Sequence, residues 1–162
     1  MKKIIYRLEN LVKEENEKIL IPRRSPEERQ KNYNVVIQKK IQQYIKDGSK
    51  GDLDLWDTPI TSLPGGLKVG GSLYLRGSKI TSLPVGLKIG GSLDLRYSEI
   101  TSLPKDLEVG GYLDLDGSKI TSLPRDLKVG ATLFISRTPL SKTHTEDQIR
   151  SMCPGIKGKI NI

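Results

Sequence analysis

The chain has 162 residues, 35% of them hydrophobic and only one a cysteine, and carries a formal net charge of +8. That length suits one domain with at most a small appendage. A single cysteine excludes an intrachain disulfide and suits a reducing compartment. No apolar run reaches the roughly 18 residues that a membrane-spanning helix needs.

The charge is uneven. Residues 1–50 hold 13 Lys/Arg against 7 Asp/Glu, whereas residues 51–130 hold 9 against 10. A basic protein invites a nucleic-acid reading, but here the basic excess sits at the ends of the chain. The opening Met1-Lys2-Lys3 is followed by Arg7 and Glu9 without an apolar stretch between a charged start and a cleavage site. The chain therefore reads as cytoplasmic, in the producing or host cell, rather than secreted by the usual N-terminal route.

In chain order, Ile4, Ile5, Leu8, Leu11 and Val12 have the spacing of one apolar helix face, predicting a helix over 2–20 that Pro22 interrupts,. Ser25-Pro26-Glu27-Glu28 is a second helix start, with Ser25 as cap and Pro26 at the first helical position. Tyr33, Val36, Ile37, Ile41, Tyr44 and Ile45 form its apolar face, and Asp47-Gly48-Ser49 ends it,. Residues 1–50 thus read as a helical N-terminal cap.

From Gly51 the period changes. Ile-Thr-Ser-Leu-Pro begins at Ile60, Ile80, Ile100 and Ile120, twenty residues apart each time. So strict a period marks a solenoid of stacked units over residues 51–140. Within one unit Leu73 and Leu75 alternate with polar residues, which predicts a short strand with both leucines facing inward. Ile80, Leu83, Leu87 and Ile89 turn inward as the chain returns. Gly70-Gly71, Gly90-Gly91 and Gly110-Gly111 precede the strands, where positive φ or close backbone approach is required. Pro64, Pro84, Pro104 and Pro124 are expected to keep the return segment out of any ladder or helix. Residues 141–162 read as a C-terminal cap. Thr145-Glu146-Asp147-Gln148 is a capping box that opens a helix through about Met152, and a last strand falls at about 159–162,.

The pattern Leu-x-Leu-x-x-Ser-x-Ile-x-x-Leu-Pro resembles the leucine-rich repeat family, in its short twenty-residue bacterial or phage form. The resemblance implies an α/β repeat: a leucine-rich-repeat solenoid of about six parallel strands between a helical N-terminal cap and a C-terminal helix-plus-strand cap. The asparagine that follows the strand in that family is replaced by Thr58, Ser78, Ser98, Ser118 and Thr138. A hydroxyl offers fewer hydrogen-bonding groups than an amide, so a looser or hydroxyl-based ladder is expected at the bend.

The resemblance also implies that the residues between the strand leucines point out on a concave face. Asp52, Ser72, Ser92, Tyr112 and Thr132 form one column. Asp54, Tyr74, Asp94, Asp114 and Phe134 form the next, and Trp56, Arg76, Arg96, Asp116 and Ser136 the third. Tyr97 and Arg137 flank them. All five aromatics after residue 50 (Trp56, Tyr74, Tyr97, Tyr112 and Phe134) fall on or beside these columns. Strands favour aromatics for packing reasons alone. Rings interleaved with arginine are also what protein interfaces enrich.

Asp94 and Asp114 stack as like charges, which invites a bound cation or a shifted pKa; the plainer alternative is neutralisation by Arg76 and Arg96. An open sheet face lacks the cleft that a carboxylate pair needs for hydrolysis, so no enzyme activity, metal or cofactor is expected. His144 reads as a surface histidine and Cys153 as a small buried cap residue. Lys68, Lys88, Glu108 and Lys128 read as a solvated outer column. The leading expectation is a protein-binding module that uses the strand face. The alternative is nucleic acid or an acidic partner on a basic patch of Arg23, Arg24, Lys39, Lys40 and Lys46.

Overall fold

The computed structural model describes residues 25–162. The helix expected over 2–20, and with it Arg23 and Arg24, lies outside the described residues. Helix α1 spans Pro26–Lys46. Ile37 and Ile41 are buried and Tyr44 packs beside them against the core. Ile45 departs from the expected face and is 38% exposed, because the last turn overhangs the first coil and leaves it beside Gly70 at the rim of a groove. The helix closes through Gly48, whose φ is 80°, with the Ser49 amide donating to the Tyr44 carbonyl at 3.0 Å,. The Tyr44 hydroxyl lies 2.9 Å from the carbonyl oxygens of Ser49 and Gly51 and accepts from the Gly70 amide at 3.3 Å. It pins the helix to both ends of the first coil.

The coils 51–70, 71–90, 91–110 and 111–130 then stack as a parallel-strand solenoid. One sheet has six strands in the order β1 (Leu53–Asp54), β3 (Leu73–Tyr74), β5 (Leu93–Asp94), β7 (Leu113–Asp114), β9 (Leu133–Phe134) and β10 (Ile160–Asn161). All neighbours are parallel and in register, so each residue faces its equivalent one coil on. The ladder is longer than these two-residue strands. Leu73, Leu75 and Gly77 donate to Ser92, Asp94 and Arg96 at 2.8 Å each, and the other coils repeat the pattern.

The return side corrects one expectation. It too forms a parallel sheet, of β2 (Lys68–Val69), β4 (Lys88–Ile89), β6 (Glu108–Val109) and β8 (Lys128–Val129). The prolines lie four residues earlier, so they remove no donor from this ladder. The β-branched Val69, Ile89, Val109 and Val129 supply the strand preference.

Each coil directs six side chains inward. In the third these are Leu93, Leu95, Ile100, Leu103, Leu107 and Val109, all buried. One coil cannot bury such a set alone; stacking makes the core continuous. Beyond the fourth coil Leu133, Ile135, Leu140, Ile149, Cys153 and Ile156 take up the inner positions. Ile149 comes from helix α2 (Glu146–Met152), whose capping box is formed: the Thr145 amide donates to Gln148 Oε1 at 2.8 Å, and the Gln148 amide to Thr145 Oγ1 at 3.4 Å. A 3-10 turn over Leu140–Lys142 precedes it.

The hydroxyl ladder expected at the bend is absent. Thr58 and Thr138 donate within their own coils, to Leu55 and Ile135 carbonyls at 2.7 Å, and the buried hydroxyls of Ser78, Ser98 and Ser118 have no partner. The ladder between coils runs in front of the strands. Asp52 Oδ1 accepts from the Ser72 amide at 2.6 Å, Ser72 Oγ from Ser92 at 3.0 Å, and Ser92 Oγ from Tyr112 at 3.1 Å.

The glycine pairs serve close approach, not positive φ. A β-carbon at Gly90, Gly110 or Gly130 would fall under 3.0 Å from the carbonyl oxygen of the glycine one coil before. Gly65 has nothing within 4 Å of the same added atom. Gly110→Ala is therefore expected to cost about 1–3 kcal/mol, the range for overpacking. Gly65→Ala should stay within about 0.5 kcal/mol, as surface changes do. Urea unfolding of the two variants checks this, and equal midpoints would refute the close-stacking account.

Candidate functional site

On the six-stranded face the in-register columns put Asp54, Tyr74, Asp94, Asp114 and Phe134 in one row across the coils. Three of these carboxylates fold back on their own backbone. Asp54 Oδ1 accepts from the Trp56 amide at 3.0 Å, Asp94 Oδ1 from Arg96 at 3.0 Å, and Asp114 Oδ1 from Asp116 at 3.1 Å. Each therefore has a local structural use: a short acceptor two residues before a free amide closes the turn that ends the strand. Asp116 Oδ1 in turn accepts from the Ser136 amide of the next coil at 2.7 Å.

Asp94 faces outward but is only 4% exposed. It shares the lining of one cleft with Tyr74, Arg96 and Tyr112. Burying a carboxylate is costly unless it is paired and hydrogen-bonded, and Arg96 does both. Its Nε lies 3.0 Å from Asp94 Oδ1 and its Nη2 2.5 Å from Asp94 Oδ2. The same Nε is 3.4 Å from Asp114 Oδ2, so one guanidinium holds two stacked carboxylates,. The Asp94 hydrogen bonds push the Arg96 pKa further up. Arg76 takes no part in this neutralisation, contrary to the second half of the sequence expectation. Burial leads in raising the Asp114 carboxyl above its ordinary value, and the Asp116 charge adds to it.

The rings run beside these charges. Tyr112 and Phe134 meet edge to face, with centroids 6.1 Å apart and planes at 88°. The Arg76 guanidinium stands 5.4 Å from the Trp56 ring and 5.6 Å from the Tyr97 ring, and the Arg137 guanidinium 5.3 Å from that same Tyr97 ring. These are cation–π distances. Trp56, Tyr97 and Tyr112 are 38%, 47% and 39% exposed, and Tyr74 and Phe134 are half-buried. None of these five rings belongs to the aliphatic core. Asp54, Trp56, Tyr74, Arg76, Asp94, Arg96 and Tyr112 line a cleft of about 350 Å³. Asp114, Asp116, Tyr97 and Phe134, named from the same sequence columns, lie outside that lining.

The cap lysines are arranged differently. Lys39 and Lys46 are exposed, but Lys40 reaches across the joint and donates to the Asp54 carbonyl at 2.8 Å. The sequence reading missed a second groove, of about 890 Å³, along the four-stranded sheet, with Lys68, Lys88, Glu108, Lys128 and Lys157 among its walls. Glu108 bridges Lys88 at 3.2 Å and Lys128 at 2.7 Å, and hydrogen bonds from these two hold its carboxyl below the ordinary value. Arg137, which the sequence shows only as flanking the columns, reaches the Tyr97 ring. The signal for it is Gly117, whose missing side chain lets Tyr97 lean toward the coil that follows. Among the described residues no group of three or more His, Cys, Asp or Glu is placed to hold a metal ion. None of their helices is long and apolar enough to cross a membrane.

Asp114 gives a pH test. Its folded pKa lies above the unfolded value, so the folded state favours the protonated form. The contribution is present below the unfolded pKa and is lost as pH rises through the folded one. Asp114→Asn, which keeps an oxygen for the Asp116 amide, should therefore match or exceed the wild-type Tm at pH 7. The two should converge near pH 3, roughly a unit below the ordinary Asp value. A variant that melts lower than wild type at pH 7 but equally at pH 3 would show that the Arg96 contact outweighs burial.

No protein-family model matches this chain, and no curated protein and no solved structure is significantly similar to it.

Proposed function

We propose that the chain is a leucine-rich repeat protein of the short bacterial or phage type, and that it acts as a non-enzymatic module that captures another protein on its six-stranded face. It works in the cytoplasm of the producing or host cell, as an accessory or inhibitor of its target. The observation that carries this reading is the cleft walled by Trp56, Tyr74, Tyr112 and Arg76, next to a buried and neutralised Asp94. Exposed rings and arginines around a well-packed floor are the anchors that dominate binding energy at interfaces. The carboxylates beside them are used by the fold, through turn amides and Arg96, which leaves an adhesive surface with no reactive group poised on it.

Nucleic acid on the basic cap has less support, since Lys40 spends its ammonium on the Asp54 carbonyl. Replacing Trp56, Tyr74 and Tyr112 together with alanine should weaken capture of the partner from native host lysate by about 30-fold or more, since a single hot-spot residue contributes about 2 kcal/mol. The aliphatic core does not include these rings, so circular dichroism and Tm should stay close to wild type. Unchanged recovery by the folded triple variant would reject the reading.

A further inference from the structure

We propose that Arg76 and Arg137, laid against the single ring of Tyr97, form a receptor whose two guanidinium forks each take a carboxylate side chain of the partner protein. This rests on the face being a protein-binding surface and names the chemistry that it selects. The two guanidiniums come from coils far apart in sequence, yet both lie within 5.6 Å of one ring centroid. Among the described residues neither guanidinium makes a hydrogen bond or ion pair, whereas that of Arg96 is held by two carboxylates. A guanidinium on an aromatic face keeps its N–H groups free at its edge, in the fork that fits a carboxylate.

The turn after each strand decides which side chains stand here. Asp57, Gly77, Tyr97, Gly117 and Arg137 occupy the same place in successive coils, and all have φ between 53° and 68°. Glycine takes this left-handed conformation freely; tyrosine and arginine do not. The turn requires the conformation in every coil, so what sets Tyr97 and Arg137 apart is that side chains stand there in place of glycine. The glycine between them is part of the device. A β-carbon on Gly117 would come within 2.7 Å of the Tyr97 ring, so only glycine lets the ring lie down toward Arg137.

Charge complementarity selects the occupant. The neighbouring columns carry Asp94, Asp114 and Asp116, beside which a nucleic-acid strand would lay one phosphate after another. A protein surface can present isolated carboxylates to the arginines and other groups to the acidic columns. The receptor therefore suits acidic residues set among neutral or basic neighbours.

The test follows the side-chain Nε–H signals of Arg76, Arg96 and Arg137 by NMR. The probes are a peptide of two glutamates each flanked by serine and glycine, inorganic phosphate and a ten-residue oligothymidine. The glutamate peptide should move Arg76 and Arg137 together and leave Arg96 in place. Arg76→Lys with Arg137→Lys keeps the charge, loses the fork, and should weaken the peptide about tenfold or more. Tyr97→Gly, which the backbone accepts as it does at Gly77 and Gly117, should keep the Tm and abolish the response. Still signals, an equal shift at Arg96, full affinity in the double-lysine variant, or a stronger response to phosphate or oligothymidine would each overturn the receptor. Lysate capture separates this from the wider reading. Wild-type recovery by the double-lysine variant, with loss by the aromatic triple variant, rejects the receptor and keeps the face. Wild-type recovery by both removes the face and the receptor with it.

Discussion

The spacing between successive coils sets the terms for this molecule. Parallel strands sit about 4.8 Å apart, so every corner must pass its neighbour at that distance. At the glycine corner the Gly90 amide donates to the Val69 carbonyl at 2.8 Å and the Gly110 amide to Ile89 at 2.9 Å. No β-carbon fits there. The return ladder, the inward turn of Ile89 and Val109 and the alignment of the outer columns all follow from that contact. A coil that could not close down at its corner would also misplace the two leucines of its strand.

Exact stacking creates an electrostatic problem. A side chain repeated every twenty residues meets its own kind one coil away, and like charges opposite one another are destabilising. On two outer columns the sequence answers with an opposite sign, although Lys68 and Lys88 still face each other at the end of one. Glu108 stands between Lys88 and Lys128 and bridges both, and Glu99 pairs with Lys119 on another column. On the strand face the answer comes from a neighbouring column instead, where Arg96 reaches Asp94 and Asp114 together. The surface pairs contribute little each. Their larger effect is to let a strict repeat stack without self-repulsion. The buried Asp94 is another matter, since its carboxylate depends on the guanidinium beside it.

Most of the architecture was legible because it is written in short-range patterns. The twenty-residue period, the alternation at Leu73 and Leu75, the Thr145 capping box and the last strand near Ile160 each need only nearby residues, and the solenoid with its terminal helix and strand has that form. The return sheet was hidden because Lys68–Val69 and its equivalents contribute two residues each, too few for an alternation to show. Ile45 fits the helix period, and only the position of the first coil leaves it outside. On the face, column membership was readable, since it depends on register alone. The burial of Asp94 and the reach of Tyr97 toward Arg137 were not. They depend on which side chains lie one and two coils away, and on the absence of one at Gly117.

The bend after the strand shows how one substitution redistributes the hydrogen bonds. In the serine coils the backbone amide takes the carbonyl three residues back, at 3.1 Å for Ser78, 3.2 Å for Ser98 and 3.0 Å for Ser118, and the hydroxyl is left over. In Thr58 the hydroxyl takes that carbonyl at 2.7 Å and the amide retreats to 3.4 Å. In Thr138 the hydroxyl again wins, and the amide turns to Ser141 Oγ at 3.3 Å. The threonines stand in the first and last coils of the face, where the methyl group locks χ1. The serines stand between them, where a smaller side chain fits under two neighbours. An unpartnered buried hydroxyl costs on the order of 1–3 kcal/mol, so the interior coils give up stability at the bend. What they keep is the close and regular spacing that brings Arg76, Tyr97 and Arg137 within reach of one another across four coils.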